Sequence, residues 1–228
     1  MPEVTGVYLL LFLAVVGFCV SSWVLAVGWT APTGRKWTYG ALALAAALAW
    51  VALTSTPVGL GWVTVENPIP GAPIQVALIF LVAFAIALSP LGRRLGTLPM
   101  WALVGFQGMR FPLEVVLHGW ADQGVAPPQM AFTGQNFDIV AGLLCLVLAP
   151  FADRSRVVAW ISQGVGIALL VNVMRVVLFS MPTPLRSFED VLLLPFHIPT
   201  LWIATVCVLM AWMVHAVTVR RLLSRMNG

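Results

Sequence analysis

The 228 residues are 61% apolar and only 9% charged, whereas a water-soluble domain is about a quarter charged. That balance excludes water as the main solvent and makes an all-α transmembrane helix bundle the expected fold. The net charge of +4 is basic, but the basic residues are distributed between apolar segments and leave no patch for nucleic acid.

A helix that crosses a bilayer needs about 20 mostly apolar residues. In chain order the sequence offers seven such segments: 7–29, 38–55, 74–91, 98–120, 137–151, 157–180 and 199–219. The start of the chain lacks the positive region of a cleavable signal peptide, so none is expected. Cys19, Cys145 and Cys207 lie inside apolar segments without CxxC spacing, which predicts neither a disulfide framework nor a zinc site. No repeat or linker divides the chain, which is read as a single transmembrane domain over 1–228.

The positions of basic residues predict the orientation. Arg35 and Lys36 follow the first segment, Arg93 and Arg94 the third, Arg154 and Arg156 the fifth, and Arg220, Arg221 and Arg225 the last. If seven helices alternate, all nine fall on one side. The other side receives Arg186 together with Glu3, Glu66, Asp122, Glu189 and Asp190. The expectation is therefore N-terminus out, C-terminus in, in a bacterial inner membrane. The fifth segment is the exception: from Ile139 it is apolar for about 13 residues, short for a full crossing.

Ionisable groups within spans are expensive and usually face a bundle interior or a cavity. The fourth segment carries Gln107, Arg110, Glu114 and His118, which fall on one helical face within about 80°. Two readings apply, a binding or catalytic wall, or an internal Arg110–Glu114 pair with His118 at the interface. Pro112 removes a backbone hydrogen bond and predicts a kink beside Arg110, while Gly105 and Gly108 permit close helix contact.

The fifth segment opens with Asn136 and Asp138, which suit helix capping and lie at the depth of the other polar groups. On the sixth, Asn172 and Arg175 are three apart and share a face. Arg175 needs a counter-charge, from Glu114 or Asp138, or must snorkel to headgroups. His197 enters the last segment from outside, and His215 near its inner end is expected to snorkel. His118 and His197 share a side, as a bis-histidine haem would need, but two histidines without supporting spacing do not predict one; no cofactor and no metal are expected. Proline-containing loops over 124–135 and 181–190 are placed to cover a pocket from outside. Segments one to three hold almost no ionisable residue at depth, which marks them as scaffold or as a surface for a membrane-protein partner.

Phe132 to Ile139, Arg110 to Glu114 and Met181 to Arg186 resemble motifs of a widespread family of bacterial multi-pass membrane proteins with no established activity, over roughly 101 to the C-terminus. The C-terminal half also resembles the exosortase and archaeosortase membrane transpeptidases. Asn172-Val-Met-Arg175 matches their Asn-x-x-Arg, and His197 matches their histidine. Their cysteine is absent: Asn136-Phe-Asp138 stands there, and Cys145 lies about two turns deeper among leucines, as an inert thiol.

These residues give three expectations. The first is a non-enzymatic outward-facing pocket formed by Arg110, Glu114, His118, Asn136, Asp138, Asn172, Arg175 and His197. Its arginine pair would bind or translocate a small or lipid-like anionic ligand, alone or as a subunit of a membrane complex. The second is an exosortase-like enzyme at the outer leaflet without a cysteine nucleophile. The third is purely structural, with Arg110–Glu114 and Arg175–Asp138 ion pairs.

Overall fold

The computed structural model describes residue 4 and residues 6–224. Glu3 and Arg225, used above for orientation, lie outside the described residues. Among the described residues the chain is helical throughout, with no strand. Helices α1 (Gly6–Trp29), α2 (Lys36–Gly59), α3 (Gly71–Leu88) and α8 (Arg156–Ser180) are each a single apolar rod of 18 to 25 residues. With the C-terminal stretch Ile203–Ser224, they make five helices long and apolar enough to cross a membrane. The remaining helices are shorter: α4 (Pro90–Leu95), α5 (Met100–Phe106), α6 (Arg110–Asp122), α7 (Asp138–Leu148) and α9 (Leu209–Ser224), which ends the C-terminal stretch.

The segment expected as one helix over 98–120 is divided in two. Between α5 and α6 the chain tightens into a 3₁₀ turn over Gln107–Met109. Pro112 explains it: its nitrogen cannot donate to the carbonyl four residues back, at Gly108, and its ring crowds that carbonyl. The fifth segment is short, as its sequence implied. Asp138–Phe151 forms one apolar helical stretch of the 10–17 residue class, roughly 20 Å long at 1.5 Å per residue, against a hydrocarbon core of about 30 Å. The last segment begins later than expected: after a turn at residues 198–201, Ile203–Val208 is π-helical and leads into α9.

Side-chain bonds to helix ends hold one end of the bundle together. Arg220 donates to the carbonyls of Ala87 (2.7 Å) and Ser89 (3.0 Å), Arg221 to that of Leu98, and Arg156 to that of Leu222 (3.0 Å). Asp153 accepts the first N–H of α5, from Met100, at 2.7 Å. The end of α3, the starts of α5 and α8 and the end of α9 therefore meet at one basic end. At the opposite end Gln129 donates to Ser180 Oγ (3.0 Å) and to the Asp190 carbonyl (2.8 Å), tying the two proline-containing loops to the end of α8.

The buried core draws on α1, α3 and α5 as well as α6 to α9, and the long helices also present large apolar side chains outward. Leu10, Leu25, Leu42, Leu48, Leu53, Leu81 and Leu88 are all exposed. A soluble monomer does not leave an apolar surface of this extent to water, and several of these helices are compatible with an integral membrane protein. Exposed tryptophans stand at helix ends, Trp29, Trp37 and Trp101 at one and Trp62 at the other. Indoles favour the two membrane–water interfaces.

The cap at α5 is exposed and separable from the core. Asp153→Ala removes the acceptor for the Met100 N–H and is expected to destabilise by about 1 kcal/mol. The check is a lower thermal midpoint in detergent, with Asp153→Asn retaining most of the stability.

Candidate functional site

The 3₁₀ turn and Pro112 place Arg110 at the start of α6, where it is buried to 1% exposure. Asp138 opens α7 beside it. Arg110 Nε donates to Asp138 Oδ2 at 2.5 Å and Nη2 donates to Oδ1, a bidentate ion pair. The helices can come this close because Gly142 lies one turn along α7. A Cβ there would run into the backbone of Arg110 and Phe111.

The other guanidinium nitrogen faces a different helix. Arg110 Nη1 donates to the Gly166 carbonyl of α8 at 2.9 Å and stands 3.5 Å from His215 Nε2 of α9. Gly166 also lacks a Cβ where one would strike the His215 ring. His215 Nδ1 meets Gln163 Oε1 at 2.7 Å, and since an amide oxygen only accepts, Nδ1 carries the proton. Nε2 is then the bare nitrogen and turns its lone pair to Arg110. One guanidinium thus links α6, α7, α8 and α9.

Glu114, one turn above Arg110, is equally buried. Asn136 Nδ2 donates to its two carboxylate oxygens at 2.8 and 2.9 Å and to the Met130 carbonyl at 3.1 Å. Asn136 Oδ1 accepts the Asp138 N–H at 3.2 Å. The capping role expected of Asn136 and its place in the charged cluster are therefore one arrangement: capping α7 aims its amide at Glu114.

Arg110, Glu114 and Asp138 all reach the wall of an internal chamber of about 60 Å³. The rest of that wall is apolar, with Leu170, Val173, Met174 and Val177 from α8 and Ile203 and Cys207 from the π-helical stretch. The structure brings together four of the eight expected site residues: Arg110, Glu114, Asn136 and Asp138.

The other four lie apart from this cluster. Arg175 is exposed and donates to Asn172 Oδ1 (3.1 Å) and Gln135 Oε1 (3.0 Å), while Asn172 donates to the Gln135 carbonyl (2.7 Å). On α8 each of this pair lies about 150° from the centre of the stripe that lines the chamber. His118 is partly exposed, 3.8 Å from Asp122 and packed on the ring of Phe132. His197 bonds the Leu193 carbonyl at 3.1 Å. It lies near exposed Glu66, whose carboxyl is held below the usual range by its own backbone N–H, then by Thr64 and His197.

These positions correct three expectations. The pairing is Arg110–Asp138, in place of Arg110–Glu114 and Arg175–Asp138, because the Gly142 contact puts α7 nearer to the guanidinium than the next turn of its own helix. The two arginines do not form a joint clamp, since α8 turns Arg175 to its other face. His215 does not snorkel: it is 1% exposed and fully engaged in the interior. Gln163 and the Gly166 carbonyl were missed altogether. Their signal was present, as a glutamine within an apolar run and a glycine three residues later, but a single helix does not say what crosses it. Comparison with protein-family models, curated proteins and solved structures finds no match.

The buried pair carries a definite expectation. Arg110→Met leaves Asp138 charged and unpartnered and should cost about 3–5 kcal/mol. The double variant Arg110→Met/Asp138→Leu should recover most of that loss. Thermal unfolding of both in the same detergent separates the two cases, and an unrecovered double variant would count against the pair as the source.

Proposed function

We propose that the protein is a seven-span integral membrane protein of a bacterial cytoplasmic membrane, with the N-terminus outside. In this reading it binds a lipid-like amphiphile in the chamber beside Arg110, Glu114 and Asp138. The convergence of Arg156, Arg220 and Arg221 on helix ends at one pole supports the orientation, since basic residues gather on the cytoplasmic side. The observation that carries the binding reading is a chamber apolar over most of its wall with charged groups at one place on it. Such a wall suits an apolar body with one polar end.

The hydrogen-bond inventory refines the nature of that end. Four guanidinium hydrogens of Arg110 are directed at Asp138, Gly166 and His215. Among the described residues Glu114 receives only the Asn136 amide, so each of its oxygens keeps a lone pair. The chamber therefore favours a ligand that donates hydrogen bonds, a hydroxyl or an amine. The anionic ligand expected from sequence is better matched to exposed Arg175, held by Asn172 and Gln135. A role as subunit of a larger complex is compatible with both, with α1 to α3 as the partner-facing side.

The second reading is an exosortase-like enzyme at the outer leaflet. It is favoured by the Asn172–Arg175 pair at the outer part of α8 and ranks behind because Asp138 is bonded to Arg110 and not to His197.

Octylamine, octanol and octanoate share a chain and differ in the polar end. Octylamine and octanol should raise the thermal midpoint of the purified protein more than octanoate. Glu114→Gln should remove the preference for the amine, and Met174→Trp, which fills the chamber, should abolish all three effects. Equal or better stabilisation by octanoate, unaffected by Glu114→Gln, would sink this reading.

A further inference from the structure

A second and larger cavity of about 190 Å³ lies between α1, α2, α3 and the C-terminal helix. Its wall includes Cys19 and Trp23 of α1, Ala47 and Trp50 of α2, Ile86 of α3 and Met210 of α9. The polar groups on that wall are already engaged. Trp23 Nε1 donates to the Ala43 carbonyl (3.0 Å), Trp50 Nε1 to the Thr205 carbonyl (2.7 Å), and the Thr205 hydroxyl to the Leu201 carbonyl (3.4 Å). Cys19 is a buried free thiol. Nothing on the wall calls for water, so the space suits an apolar occupant.

The surroundings identify that occupant. Ala46, on the rim, is exposed, as are Leu44 and Leu48 of α2 and Leu81 of α3, so the cavity adjoins the lipid-facing surface. Along α2 the exposed Ala46 and Leu42 and the partly exposed Tyr39 form a stripe from the rim of the cavity to the basic end of the bundle. From Ala47 to Tyr39 is about 12 Å, within the roughly 15 Å occupied by the chains of one leaflet. At that end Arg94 lies over the Tyr39 ring, 4.8 Å from its centroid, and its Nε is buried without a hydrogen-bond partner. Among the described residues no carboxylate is paired with it. Arg35, Lys36 and Arg93 add positive charge beside it.

We propose that this cavity seats one acyl chain of an anionic phospholipid whose phosphate is held by Arg94. The phosphate oxygens would accept from the terminal guanidinium nitrogens of Arg94, and the chain would follow the α2 stripe inward to lie against Trp23 and Trp50. This site is distinct from the chamber. The π-helical stretch separates them, with Ile203, Ala204, Cys207 and Val208 turned to the chamber and Thr205 and Val206 to the cavity. The proposal rests on the membrane reading and not on the chamber's ligand.

Native mass spectrometry of the full chain in detergent tests it, with four probes: palmitoyl-oleoyl phosphatidylglycerol, phosphatidylcholine with the same chains, dihexanoyl phosphatidylglycerol and inorganic phosphate. The wild type should bind the long-chain phosphatidylglycerol most tightly. Arg94→Gln should weaken that binding about fivefold and weaken phosphatidylcholine, whose choline offsets the phosphate charge, by less, and Ala47→Phe should weaken both long-chain lipids. Glu114→Gln should change none of these affinities. Equal binding of the two long-chain lipids by the wild type would overturn the proposal. Dihexanoyl lipid or phosphate binding as well as the long-chain lipid would reduce the site to a headgroup contact and also overturn it. Unchanged lipid binding in a folded Ala47→Phe variant would do the same; if that variant fails to fold, Ala46→Leu at the rim takes its place under the same criteria.

Discussion

A charged guanidinium in the middle of an apolar bundle must have its hydrogen bonds supplied, and the arrangement of α6 to α9 follows from that requirement. Arg110 takes a bidentate carboxylate from α7, a carbonyl from α8 and a histidine from α9. Each partner needs a short approach, and two of the approaches depend on glycine: Gly142 admits the α6 backbone, and Gly166 admits the His215 ring and the guanidinium. Pro112 contributes by shortening the preceding turn, which sets where along α6 the side chain leaves the backbone. The pair is less a source of net stability than a constraint on register. Its desolvation offsets much of its attraction, while any other packing would leave a charge unpaired in hydrocarbon.

The same register creates the chamber. With Arg110 turned to Asp138, the next turn of α6 brings Glu114 to the wall, and the Asn136 cap of α7 holds it there. The apolar remainder comes from α8 and from the π-helical stretch, whose wider turn separates two cavities of different character. One is small and touches a balanced charge pair; the other is larger, has its few polar groups already bonded and adjoins the exposed apolar face of α2. The division expected from the sequence, a polar C-terminal half and an apolar N-terminal half, thus corresponds to two cavities with different walls.

Legibility from sequence differed between local and non-local features. The long apolar rods α1, α2, α3 and α8 were readable because length and composition are properties of one segment. The break beside Arg110 was readable because Pro112 acts on its own carbonyl neighbour. Asn136 was readable as a cap for the same reason. The ion-pair partners were not: Glu114 is four residues from Arg110 and was the natural choice by spacing, yet Asp138, 28 residues away, makes the bond. His215 was misplaced because depth along a helix says little about which neighbours cover it.

By itself the sequence determined that this chain is helical, apolar beyond what water permits, and polar at a few interior positions concentrated after residue 100. Those conclusions need only composition, periodicity and the reach of single side chains. The tertiary structure alone decided which of those polar residues meet, separating Arg175, His118 and His197 from the buried cluster and adding His215 and Gln163 to it. The reason is that interhelical distance is set by the smallest residues at each contact, and the effect of a missing Cβ at Gly142 or Gly166 depends on what packs against it.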